Sequence, residues 1–204
     1  LGEQLEIIKD AGADYVHIDV MDGVFVPNIS FGLPEVEGLR KASDLFFDVH
    51  LMIQEPIRYV KEFKAVGADM LTVHVEACED VQATIDAIHA EGMDAGLACN
   101  PETPVEDIVP FIDKVEMILI MTVHPGFGGQ KFIPESLERI SELRNLLNEK
   151  GLTTDIEVDG GIYHKNVAEV LAAGANVMVS GSGIFKGDIK DNTAKFMEIL
   201  NGNV

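Results

Sequence analysis

The chain has 204 residues, 47% of them hydrophobic and 25% charged; this excludes a disordered or fibrous protein and suits one large α/β domain. Its 35 acidic residues against 15 basic ones leave a net charge of −20, which argues against nucleic acid or an anionic membrane surface as partner. Cys78 and Cys99 form neither a disulfide framework nor a zinc spacing, and a cytoplasmic location is expected.

In chain order, the first signal is a helical stripe, Leu1, Leu5 and Ile8, that stops at Ala11-Gly12-Ala13-Asp14 and runs into Tyr15-Val16-His17-Ile18. The same joint recurs at Val66-Gly67-Ala68-Asp69 and at Ala173-Gly174-Ala175-Asn176. Glycine just past a helix end supplies the left-handed backbone that a stop requires, and a β-branched strand follows. The glycines are 55 and 107 residues apart, two and four units of about 27 residues, the length of one strand, one helix and two loops. Strands are predicted at 15–20, 45–51, 70–74, 94–98, 117–122, 155–158 and 177–179. Most are near-continuous apolar runs, as expected of strands covered on both faces. The longest such run, 115–123, contains Glu116 and Thr122 and cannot cross a bilayer. Helices fit between them. Pro56 suits a first helical position, and 136–150 carries Leu137, Ile140, Leu143 and Leu147 on one stripe before Gly151.

Seven even βα units favour a (β/α)₈ barrel over an open doubly wound sheet. The expectation is one domain, 1–204, that lacks the first strand of its barrel. Seven strands do not close an eight-stranded barrel, so about 15 residues, one strand and its loops, are expected before Leu1.

In such a barrel the chemistry gathers where strands end. His17 and Asp19 are two residues apart and share a face, as do Asp48, His50 and Met52. Asp159 ends a late strand. Carboxylates are costly inside strands that otherwise bury Val, Ile and Phe. Two imidazoles and two carboxylates in one mouth would make a divalent metal site for zinc, iron, manganese or cobalt. Taken singly, each histidine would more often be a satisfied interior residue. His74 and Glu76 form a further pair, read as a strand-end hydrogen-bond network. His89 and His164 are placed on helix surfaces.

Three glycine-bearing turns follow late strands: Gly126-Phe127-Gly128-Gly129, Gly160-Gly161, and Gly181-Ser182-Gly183 before Ile184-Phe185-Lys186. Bare backbone N–H groups there would hold an anion, as barrels do on their last loops. Each turn taken alone would simply be tight. Met21, Met52 and Met121 end strands and would either fill core space or line a cavity.

The segments HIDVMDGVFVPNISFG (17–32), DVHLM (48–52), MTVHPGFGGQ (121–130), VDGGI (158–162) and VSGS (179–182) closely resemble the ribulose-phosphate 3-epimerase family. The resemblance runs across nearly the whole chain. It implies a (β/α)₈ TIM barrel that interconverts D-ribulose 5-phosphate and D-xylulose 5-phosphate in the pentose phosphate pathway. It implies one divalent metal ion on His17, Asp19, His50 and Asp159, with Asp19 and Asp159 as the acid/base pair. His50, Gly126, Phe127, Gly128, Gly129, Asp159, Gly160, Gly161, Gly181 and Ser182 would bind substrate, the last of these its phosphate, and Met21, Met52 and Met121 would cap the pocket. The family's first strand carries a substrate-contacting serine that this sequence lacks. The expected partner is a small sugar phosphate, and a homo-oligomer stays open. Two other readings are a hexulose 6-phosphate epimerase and a non-catalytic sugar-phosphate-binding barrel. Intact glycine loops weigh against the first, and retention of all four ligand candidates against the second.

Overall fold

A computed structural model of the chain describes residues 1–202. Its elements alternate: α1 (Gly2–Asp10), β1 (Tyr15–Met21), α2 (Leu33–Ala42), β2 (Phe46–Met52), α3 (Val60–Ala65), β3 (Met70–His74), α4 (Val81–Ala90), β4 (Asp94–Cys99), β5 (Met117–Met121), α5 (Ser136–Lys150), β6 (Asp155–Asp159), α6 (Val167–Ala173), β7 (Val177–Val179), α7 (Ser182–Phe185) and α8 (Ile189–Leu200). The seven strands form one parallel sheet in chain order, β1 to β7. Helices lie on its outer side, as βα crossovers require. The sheet is a nearly closed barrel, and among the described residues no strand joins β7 to β1.

The periodicities have direct physical outcomes. In α5 the stripe Ile140, Leu143 and Leu147 is buried, and Gly151 ends the helix with φ +66°. The repeated glycine joint takes φ near +100° at both Gly12 and Gly67. Pro56 opens a 3₁₀ turn, Pro56–Tyr59, ahead of α3. In α4 the Ala83 N–H donates to the N-cap Asp80 at 2.9 Å, leaving one fewer free donor at the helix end.

The main core lies between the sheet and its helices and includes Val16, Ile18, Val20, Phe47, Val49, Leu71 and Val73. The alternate residues of the same strands face the lumen. A small apolar cluster, Ala98, Leu119, Met121 and Val123, fills its late-strand side, while charged and polar side chains fill its early-strand side. His164 lies in the turn before α6, not in a helix. The Tyr163 N–H donates to Asn166 Oδ1 at 2.8 Å, and this contact closes the turn. The His164 ring packs on Phe196 with centroids 4.3 Å apart. No described helix is long and apolar enough to cross a membrane.

Candidate active site

Strand register brings the early polar residues together. His17 pairs with Asp48 and Asp19 with His50 across β1 and β2, and His50 pairs with Thr72 across β2 and β3. Since i and i+2 share a face, all five side chains enter the lumen. Asp159, at the end of β6, approaches from the far side, and one donor atom each from His17, Asp19, His50 and Asp159 lies within 4.8 Å of the others.

Three of these donors are close-set. Asp19 Oδ1 is 3.0 Å from His50 Nδ1 and 3.3 Å from His17 Nε2, and the two ring nitrogens are 3.3 Å apart. Donor atoms around a four-coordinate ion with bonds of about 2.0–2.1 Å stand roughly 3.3 Å apart. Mixed imidazole and carboxylate suits a divalent transition metal. Both the donor set and its spacing therefore fit such an ion, and His17, Asp19, His50 and Asp159 could hold it.

The residues behind the donors fix His17. Its Nδ1–H donates to Asp48 Oδ2 at 2.6 Å, leaving Nε2 to face the cluster. Asp48 is fully buried and its other oxygen accepts the Thr72 hydroxyl at 2.6 Å. Gly96 makes room for that hydroxyl, since a Cβ there would lie 2.3 Å from Thr72 Oγ1. Glu157 Oε1 is 3.4 Å from His17 Nδ1, and its Oε2 is buried without a partner. His17, Asp48 and Glu157 form a second cluster of metal-ligand type, but Asp48 already engages the shared Nδ1, so this group orients His17.

Electrostatics separates the two aspartates. Burial alone would raise Asp19, but hydrogen bonds with His17 and His50 hold its carboxyl well below the usual range. Burial, reinforced by Asp19, pushes Asp159 up to about 7. Burial and the Asp48 charge push Glu157 up to about 8. Burial would lower His17, yet the charges of Asp48 and Glu157 raise it well above an ordinary imidazole. Burial takes His50 down to about 4.

The cluster opens into a cavity of about 590 Å³. Met21, Met52 and Met121 line it, and Met52 and Met121 are themselves almost fully buried. The glycine turns Gly126–Gly129, Gly160–Gly161 and Gly181 with Ser182 form its opposite rim. Phe127 on that rim is 58% exposed. Two of the glycines also have packing reasons. A Cβ on Gly160 would lie 2.3 Å from Val123, and one on Gly161 2.4 Å from the Phe132 nitrogen. Ser182 opens α7, and its hydroxyl is 2.6 Å from Tyr163 Oη. His124 is exposed and pairs with Glu102 at 3.0 Å, outside the cluster. Sequence reasoning gave no role to Thr72 or Glu157. Glu157 carried a signal, as an acidic residue two positions before Asp159 in an apolar strand.

Residues 1–185 match the model of the "Ribulose-phosphate 3 epimerase family". The chain belongs to the ribulose-phosphate 3-epimerase family. It is 48% identical over 186 residues to the Bacillus subtilis protein named ribulose-phosphate 3-epimerase, covering 91% of this chain and 86% of that one. It is 47% identical over 204 residues to the Synechocystis protein of the same name, covering 99% and 86%. Solved structures share the fold at low identity. One is 3-hexulose-6-phosphate synthase from Salmonella typhimurium, with TM-score 0.76, 17% identity and coverage of 99% and 92%. Membership in the epimerase family thus rests on sequence, and the barrel on both comparisons.

Proposed function

We propose that the protein inverts C3 of a ketopentose 5-phosphate, interconverting D-ribulose 5-phosphate and D-xylulose 5-phosphate. The observation that carries this reading is the convergence of Asp19 and Asp159 from opposite sides of one mouth, together with His17 and His50, in a chain of this family. Inversion at a carbon next to a carbonyl needs a proton removed on one face and returned on the other. Asp19, held ionised by two histidines, is equipped to take a proton. Asp159, raised to about 7, is equipped to hold one. A divalent ion on His17, Asp19, His50 and Asp159 supplies, when bound, Lewis-acid stabilisation of the negative charge that develops on the oxygens beside the reacting carbon. His17 and His50 orient that centre, and the three methionines keep water from the reacting carbon. Backbone N–H groups at Gly160, Gly161, Gly181 and Ser182 receive the phosphate, which leaves the sugar's other end at the two aspartates.

The test is direct. Purified protein with a divalent metal should convert D-ribulose 5-phosphate to D-xylulose 5-phosphate, with solvent deuterium entering C3. A metal-loaded, folded protein that neither converts nor exchanges either pentulose phosphate would overturn the proposal.

A further inference from the structure

The two histidines of the cluster are held by different devices. His17 leans on a carboxylate, but His50 leans on another histidine. Its Nε2 lies 2.8 Å from Nε2 of His74, and both rings are fully buried. The rings meet edge to edge with their planes 22° apart and centroids 4.9 Å apart, and Phe25 packs against His74 with centroids 4.9 Å apart. Two facing ring nitrogens share a single proton, so one must donate and the other accept.

The remaining contacts decide which. His74 Nδ1 is 3.2 Å from Glu76 Oε2. The other oxygen, Oε1, accepts the Asn100 N–H at 2.7 Å and the Thr103 hydroxyl. A carboxylate only accepts, so His74 carries its proton on Nδ1 and offers a lone pair at Nε2. Asp19 Oδ1 makes the same demand of His50 Nδ1 when no ion is bound, but with an ion at the cluster His50 carries its proton on Nε2 and offers the ion the lone pair at Nδ1. That is the atom 3.0 Å from Asp19 Oδ1 and 3.3 Å from His17 Nε2.

The geometry points to His74 and Glu76 as positioning residues that lock His50 in the tautomer whose Nδ1 faces the cluster. The relay starts at the Asn100 backbone, outside the mouth, and ends at the donor set. It rests on the reading of His50 as a metal ligand.

One isosteric change should reverse it. In Glu76→Gln the Asn100 N–H still demands an acceptor at the Oε1 position, and a backbone N–H cannot change role. The amide NH₂ then faces His74 Nδ1 and donates to it. His74 must move its proton to Nε2 and donate to His50, whose proton shifts to Nδ1 and blocks the lone pair. Glu76→Ala merely frees His74 to take either form. The relay therefore predicts that the isosteric variant is the worse of the two, whereas a structural role for Glu76 predicts the opposite.

The experiment has two arms. Long-range ¹H–¹⁵N NMR on the Zn²⁺-loaded wild type at pH 8 should show His50 protonated on Nε2 and His74 on Nδ1. Zn²⁺ titrated against a chromophoric chelator should bind Glu76→Gln about 10- to 100-fold more weakly than wild type, with Glu76→Ala between them. Wild-type His50 protonated on Nδ1, or a doubly protonated His74, overturns the relay even if no variant folds. So does wild-type Zn²⁺ affinity in a folded Glu76→Gln. Failure of the wild type to bind Zn²⁺ overturns the metal reading instead, and the relay falls with it.

Discussion

The two sides of the mouth are built on different principles. On β1, β2 and β3 the lumen-facing positions include His17, Asp19, Asp48, His50, Thr72 and His74, and their side chains contact one another in a continuous network. On β5, β6 and β7 the lumen is mainly apolar up to Glu157 and Asp159, and the polar surface beyond it is glycine backbone. Directional side-chain chemistry needs donors held to fractions of an ångström, which paired strands with fixed register provide. Receiving an anion needs only N–H groups that can be approached closely, which glycine turns provide. A substitution on the first side should therefore alter chemistry or metal affinity. One on the second side should alter substrate binding or packing.

The sharpest break of this contrast is at the aspartates. Asp19→Asn or Asp159→Asn should lower turnover by roughly 10²–10⁴-fold from the proton transfer alone, measured at saturating metal and substrate. Turnover within tenfold of wild type would remove the variant residue from the mechanism. The next effect lies on the glycine side. Gly161→Ala puts a Cβ 2.4 Å from the Phe132 nitrogen at φ +67°, and should cost about 1–3 kcal/mol. It should lower the melting temperature and raise KM for the phosphorylated sugar. Gly128→Ala meets nothing within 4 Å and should leave the melting temperature unchanged. Equal melting temperatures for the two variants would show that packing does not require Gly161.

A milder change tests support for His17. Thr72→Val removes the hydroxyl that holds Asp48 and should weaken metal binding by about tenfold, as read by chelator competition. Unchanged affinity would confine Thr72 to packing. The smallest effect is one of pH. Asp159, Glu157 and His17 all bind protons more tightly in the folded chain than unfolded. Above the ordinary imidazole range the native state thus holds more protons, and stability falls as pH rises. His50, lowered to about 4, opposes this only at lower pH. The metal-free protein should melt at progressively lower temperature from about pH 6.5 to pH 8, and a divalent ion should flatten the slope. A melting temperature that rises over this window would contradict the charge arrangement.

Much of the architecture was legible in the sequence, because strands covered on both faces must be apolar and helix ends must stop. The repeated glycine joint marked three helix-to-strand passages. Strand ends were less legible. Four of the seven strands run one residue further, at Met21, Met52, Cys99 and Asp159, where mouth residues continue the pairing without being aliphatic, and one ends a residue earlier, at Met121. The alternation of His17 with Asp19, and of Asp48 with His50, marked side chains on one face. Spacing along one strand could not show which partner each would meet. That Asp48 holds His17, while Asp19 meets His50, follows from the β1–β2 register. The role of Thr72 follows from β3 and from the space left by Gly96. His164 was misplaced because the Asn166 side chain closes its turn by accepting a backbone N–H, a contact invisible to periodicity.

The central claim is that Asp19 and Asp159 serve opposite faces of one carbon. Its most direct test is solvent deuterium wash-in at C3 of each pentulose phosphate, with the single Asn variants loaded with metal. Each variant keeps one of the two proton-handling groups. Asp159→Asn should slowly exchange one epimer without inverting it, and Asp19→Asn should exchange only the other. Exchange of the same epimer by both variants, or full inversion by either, would contradict the two-sided mechanism.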